Sequence, residues 1–171
     1  PAWRQRVSSH DRPASRGPVL VCGLNPLGIA VVRQLVAKGE TARALASADE
    51  VASYSHELKR LSVPACIGVA SSAGELEAAG LHEASAVILA ANDDAENVDA
   101  ALTARRIRPG VPIVARVFDP SLGQYLEETE DGLRVLSVSG LASPRFADLA
   151  MREAKEAGAE RAVSAGVRPL G

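Results

Sequence analysis

The sequence predicts an α/β domain: a doubly wound, mainly parallel six-stranded sheet with helices on both faces. Three observations carry that prediction. Six short apolar runs alternate with segments of helical period, the pattern of repeated strand-helix units. Two of the runs, Val19 to Cys22 and Ala86 to Ala91, are continuous rather than alternating, as strands covered on both faces must be. The first run leads into Gly23-Leu24-Asn25-Pro26-Leu27-Gly28, a Gly-x-x-x-x-Gly frame between strand and helix, with Asn25 where a middle glycine usually sits. Together these outline a Rossmann-like fold with strand order 3-2-1-4-5-6.

Composition agrees. Hydrophobic residues make up 47% of the 171 residues and aromatics only 3%, so the core is aliphatic, which suits a helix-covered parallel sheet. The length is that of about one domain. A net charge of −2 lends no support to nucleic-acid binding. No segment reaches the roughly 18 apolar residues that span a bilayer, so the chain as given is expected to be soluble. Cys22 and Cys66 both fall in predicted strands, with no Cys-x-x-Cys or Cys/His ligand pattern; a reducing, cytoplasmic setting is the default.

The elements follow in order. Residues 1–18 carry Arg4, Arg6, Arg12 and Arg16 against Asp11, a charge of +3 that leaves −5 for the rest, and show no apolar period. They read as a basic linker or tail, either solvated or lying near anionic lipid. The helix from Leu27 to Lys38 is apolar over much of its circumference and stops at Gly39, so a second covering layer is expected outside it. A strand is predicted over Thr41 to Ala46. Ser47-Ala48-Asp49-Glu50 has capping-box spacing and opens a helix to Leu61. Val63 to Gly68 is the third strand, and Pro64 suits a strand start or sheet edge. Ser72-Ala73-Gly74-Glu75 repeats the capping-box spacing for a short helix ended by Gly80. Ala86 to Ala91 is the central strand. Asn92-Asp93-Asp94 caps a helix from Ala95 to Ile107, and Val111 to Val117 is the fifth strand. Asp119-Pro120 opens a helix to Glu128. Leu133 to Val138 is the sixth strand, and a last helix is predicted over Ser143 to Ala157. The domain is thus assigned to 19–157 and a C-terminal tail to 158–171.

In such a sheet ligands bind beyond the carboxyl ends of the strands, where strand order reverses. The expected contacts are Gly23, Leu24, Asn25, Pro26, Leu27 and Gly28 in the loop, Ala46 and Ser47 after the second strand, Val69 and Ala70 after the third, and Ala91 and Asn92 after the fourth. Backbone N–H groups near Gly28 are predicted to attract a phosphate. Asn25 and Pro26 narrow the space a glycine would leave, and Pro26 removes one donor. Asparagine tolerates left-handed angles, which lets the turn survive the exchange. A tight strand-helix turn without ligand is the alternative. A dinucleotide site usually has an acid at the end of the second strand. Here Ala46 stands there, and the first acids, Asp49 and Glu50, lie inside the capping box. Ser47 either touches a ribose or phosphate or caps its helix; Arg43 either meets a 2′-phosphate or is aimed elsewhere by strand alternation.

Several blocks in succession carry a family resemblance: Gly23-Leu-Asn-Pro-Leu-Gly28, Gly68-Val-Ala-Ser71, Leu76-Glu-Ala-Ala-Gly80-Leu, Ala86-Val-Ile-Leu, Asn92-Asp-Asp-Ala-Glu-Asn97 and Ile113-Val-Ala-Arg116. Their order and spacing from about Val19 to Leu149 resemble the RCK N-terminal domain, also called TrkA-N or KTN. That resemblance implies a cytosolic regulatory domain of a potassium channel or transporter, at the inner face of the cell membrane. It implies a homodimer or larger ring with a membrane subunit as partner, and NAD(H) or an adenine nucleotide as ligand. It nominates Arg116, and it aligns Asn97 with a family asparagine whose plainer reading is a polar residue on a helix face. The chain departs from the family pattern at Ala46 and Val69, where acids are usual, so the ligand's identity stays open.

Two other functions are weighed. One is a structural assembly domain with a vestigial pocket. The other is an NAD(P)-dependent oxidoreductase, against which stand the lack of a substrate domain and of an acid/base set. Tyr54 and Lys59 are five apart, not the four of a Tyr-x-x-x-Lys pair, and His10, His56 and His82 are isolated. The acids Asp93, Asp94 and Glu96, and Glu127, Glu128, Glu130 and Asp131, are read as helix-terminal or solvated groups rather than a cation site.

Overall fold

The computed structural model describes residues 17–129, 133–137, 147–149 and 151–152. Six parallel strands form one sheet: β1 (Val19–Cys22), β2 (Ala42–Ala46), β3 (Ala65–Ile67), β4 (Ala86–Leu89), β5 (Ile113–Arg116) and β6 (Leu133–Leu136), in the order β3-β2-β1-β4-β5-β6. The doubly wound, Rossmann-like prediction and its strand order hold.

Alternation along each strand builds two cores. Leu20 and Cys22 of β1 point to one face with Leu45, Val87 and Leu89, beneath α4 (Ala73–Ala78), α5 (Asp94–Ile107) and α6 (Pro120–Thr129). Val21 points to the other face with Ala44 and Ala46, beneath α1 (Pro26–Ala37), α2 (Ala48–Ser53) and α3 (Ser55–Arg60). The register of β1 on β4, with Val21 opposite Ile88 and Cys22 opposite Leu89, fixes where both strands end. Their carboxyl ends therefore open side by side, at the point where the chain winds off in opposite directions.

Several expectations are refined. Pro64 directly precedes β3, an edge strand, as proline requires. The helix expected from Ala48 to Leu61 is two helices, because Tyr54 leaves helical angles (φ −108°, ψ 12°) while packing, with Val51 and Leu61, against the core. In α1 only Gly28, Ile29 and Val32 are buried; Val31, Leu35 and Val36 are half-buried, and no second layer covers them among the described residues. At Ser72 the capping box does not form. The chain folds back so that the Val69 N–H reaches the Glu75 carboxylate instead. The basic segment before Gly17, most of the helix expected at Ser143 to Ala157, and the tail 158–171 lie outside the described residues. No helix among the described residues is long and apolar enough to cross a membrane.

Candidate functional site

The loop after β1 is set by two close backbone approaches. Gly23 has φ +90°, and its N–H donates to Leu45 O at 2.8 Å. A Cβ on Gly23 would lie 3.0 Å from Ala91 N, and one on Gly28 only 1.9 Å from Gly23 O. Helix α1 thus begins almost on top of the end of β1, and only glycine permits that approach.

Asn25 does something other than what the Gly-x-x-x-x-Gly frame suggests. Its angles (φ −76°, ψ −178°) are extended, not left-handed, and it is the N-cap of α1. Its Oδ1 accepts from Leu27 N at 3.0 Å and Gly28 N at 3.1 Å. Its Nδ2 donates to Ala90 O and, at 3.2 Å, to Asn92 Oδ1. Asparagine is a favoured N-cap because its short side chain returns to the orphan amides at the helix start. Pro26 has no N–H, and Ile29 N donates to Asn25 O at 3.0 Å. The helix-start donors expected to attract a phosphate are therefore already engaged. Leu24 has 0% exposure and packs with Val21 and Ile29, so only its backbone faces the loop.

On the β2 side of the loop, Gly23, Ala46, Ser47, Val69, Ala70 and Ala91 line one crevice, as the topology requires. Its volume is about 50 Å³, small beside the ~300–1,000 Å³ of typical ligand pockets. Ser47 is committed to its capping box: Glu50 N donates to Ser47 Oγ at 3.4 Å, Ser47 N donates to Glu50 Oε2 at 3.1 Å, and Ser47 Oγ donates to the same oxygen at 3.0 Å. The same box turns Glu50 back over the end of β2, so an acid lines the crevice although Ala46 occupies the usual position. The capping spacing was the signal for it. Glu96 and Asn97 line the crevice from α5, and Cys22 from its floor. Burial first, and then the Glu96 charge, push the Cys22 thiol up to about 12.

On the other side, Asn25, Pro26, Leu27, Asn92 and Arg116 line a wider cleft of about 260 Å³. Arg116 donates through Nη1 to Asn92 Oδ1 at 2.8 Å and stacks 4.1 Å from the Phe118 ring centroid. Its Nε is buried without a partner. Apart from the buried Leu24 and Gly28, the predicted site residues thus divide into two groups, one on each side of the loop.

Asn97 is not a polar residue on an exposed helix face; it has 2% exposure. It accepts from Ala91 N at 3.0 Å and donates to Ala91 O and Arg116 O, each at 2.9 Å. It ties the ends of β4 and β5 to α5 and holds both halves of the site in register. Arg43 lies elsewhere: level with Leu20, it faces Gly80 and sits 3.9 Å from Glu83. Asp93 caps α5 by accepting from Glu96 N at 2.9 Å, and Asp94 accepts from Phe118 N and Asp119 N. These acids diverge to separate amides. Among the described residues no group of three His, Cys, Asp or Glu is placed to hold a metal.

A family model for the TrkA-N domain matches residues 19–135. Among solved structures, the chain is similar to the NAD(P)-binding domain of an exopolyphosphatase-related protein from Archaeoglobus fulgidus, at 24% identity and TM-score 0.64, over 80% of this chain and 99% of that one. It is similar to the Kef CTD of Shewanella denitrificans in AMP-bound form, at 23% identity and TM-score 0.60, over 85% and 87% of the two chains. It is also similar to the GsuK channel bound to NAD, at 22% identity and TM-score 0.58, over 73% of this chain and 22% of that one. No curated protein sequence matches the chain.

Proposed function

The chain belongs to the TrkA-N domain family, and on that premise we propose that it is a regulatory domain on the cytoplasmic side of a potassium channel or transporter. Its ligand is an adenine nucleotide or NAD(H), and its working form is a homodimer or larger ring joined to the membrane subunit. One observation carries the reading: the ends of β1, β2, β3 and β4 converge on a single crevice at the point where strand order reverses. The AMP-bound Kef domain and the NAD-bound GsuK channel support the ligand class and the kind of partner.

In this reading Gly23 and Ala91 form the wall against which a ligand packs, and Val69 and Ala70 close the far side. Glu50 replaces the missing acid of β2 as acceptor for ribose hydroxyls. Arg116, held by Asn92, serves the phosphate side or the contact with a second subunit. Occupancy shifts the pore only through different affinity for two arrangements of the assembly. No catalytic step is assigned. His56 and His82 lie away from the crevice lining, and His82 sits 3.4 Å from Glu77.

The small crevice and the engaged loop donors favour a second reading, an assembly domain whose pocket is vestigial. A thermal-shift screen with NAD(H), NADP(H), ATP, ADP, AMP, cyclic nucleotides and calcium separates the two. A ligand at a hundredfold excess over Kd stabilises the fold by about 3 kcal/mol, which raises Tm by roughly 5–10 °C in a domain of this size. No shift with any of them overturns the sensor reading in favour of assembly.

A further inference from the structure

We propose that Asn25 determines ligand specificity by occupying the place of a phosphate, so that the crevice selects its ligand through the nucleoside and gains little from a pyrophosphate. The proposal rests on the reading of the crevice as a nucleotide site.

A phosphate bound at the start of a helix needs free N–H groups there. In this loop Pro26 offers none, Ile29 N is spent on Asn25 O, and Leu27 N and Gly28 N both point at Asn25 Oδ1. That oxygen stands where a phosphate oxygen would stand, at 3.0 and 3.1 Å from two consecutive amides, and two oxygens cannot share the position. The carboxamide is not easily displaced. Asn25 as a whole has 7% exposure, and its Nδ2 is anchored on the opposite wall by Ala90 O and Asn92 Oδ1. Swinging it out would leave buried polar groups on both sides without partners.

The acids beside the loop act in the same direction. Glu50 and Glu96 line the crevice on the β2 side. The nearby guanidinium, Arg116, donates to Asn92 Oδ1, the atom that also accepts from Asn25. Asn25 is thus linked through one shared acceptor to the cation a phosphate would seek. Its removal would free two amides and an Asn92 contact together. Glycine at this position is compatible with the backbone, whose angles are ordinary extended ones, and glycine is itself a tolerated N-cap.

The test is titration calorimetry of wild type, Asn25→Gly and Asn25→Ser with adenosine, AMP, ADP and NAD. In wild type the four affinities should agree within about threefold, since no amide at the helix start is vacant for a phosphate oxygen. In Asn25→Gly, ADP and NAD should tighten by about tenfold or more while adenosine stays within about twofold. Asn25→Ser, which keeps a capping oxygen on a shorter side chain, should fall between them and stands in if the glycine variant fails to fold. A gain of ADP binding by Asn25→Gly where wild type binds none of the four also supports the proposal. A wild-type preference for ADP or NAD over adenosine of tenfold or more overturns it. Adenosine binding in all variants with no change in phosphate preference overturns it and leaves the nucleotide reading standing. Absence of binding by every variant removes the nucleotide reading and the proposal with it.

Discussion

Replacing Gly28 with alanine tests whether the strand-to-helix turn is built on backbone contact rather than on conformational freedom. Gly28 needs no left-handed angle; what it needs is room. The added Cβ would stand 1.9 Å from Gly23 O and 3.0 Å from its carbonyl carbon. A carbon–oxygen contact normally stays near 3.3 Å, so the helix start must retreat by roughly 1.4 Å. The obstacle is backbone, pinned by the Gly23 N–H to Leu45 O, and cannot rotate away. Overpacking of this kind costs about 1–3 kcal/mol, and the retreat also weakens the Asn25 cap on Leu27 N and Gly28 N, about 1 kcal/mol more. Alanine's better helix propensity returns about 1 kcal/mol. The net expectation is a loss of about 1–3 kcal/mol, or roughly 2–12 °C in Tm. Urea denaturation followed by circular dichroism measures it. Gly74→Ala in α4 is the control: a Cβ there meets nothing within 4 Å, and the variant should gain about 0.5–1 kcal/mol. If Gly28→Ala is as stable as wild type, or more stable, while the control behaves, the close-packed turn is wrong.

Two further outcomes follow from the buried groups of the site. Asn97→Leu keeps the branched heavy-atom shape but leaves Ala91 N, Ala91 O and Arg116 O without their partner; it should destabilise the domain by about 3 kcal/mol, and a urea midpoint equal to wild type would remove the role assigned to Asn97. Cys22 stays protonated to about 12 in the folded domain, whereas the unfolded chain ionises near the ordinary 9.0. The unfolded state therefore loses its proton first, so this group leaves stability intact below pH 9 and lowers it as pH rises from 9 towards 12, by on the order of 4 kcal/mol in all. Stability measured from pH 8 to 11 should fall more steeply for wild type than for Cys22→Ala, and parallel profiles would refute it.

Much of the fold was legible because local chemistry and topology agree. The continuous run at Ala86 announced a central strand, since only a strand covered on both faces can be apolar at every position. Pro64 announced a strand start or an edge and stands at both, and Ser47 with Glu50 formed the box that their spacing foretold. The same spacing misled at Ser72, where the Val69 N–H offered Glu75 a better partner than the helix's own cap. Alternation left Arg43 open, and the register with Leu20 sends it to Gly80 and Glu83, away from the crevice.

The sequence by itself determined the class of fold, the strand order, the family and the end of the sheet where a site belongs. The first two and the last depend on hydrophobic period and on turn residues, which act over a few neighbours along the chain; the family rests on the resemblance of successive sequence blocks. What only the tertiary structure decided is the state of the loop. Asn25 could have been a left-handed stand-in for glycine; its partners Ala90 and Asn92 lie 65 and 67 residues further on, and they hold it as a helix cap instead. Asn97 likewise became a buried clip only because the ends of β4 and β5 are brought within reach of one side chain. Hydrogen bonds of that reach follow from which strand ends lie side by side, and no local pattern in the chain records them.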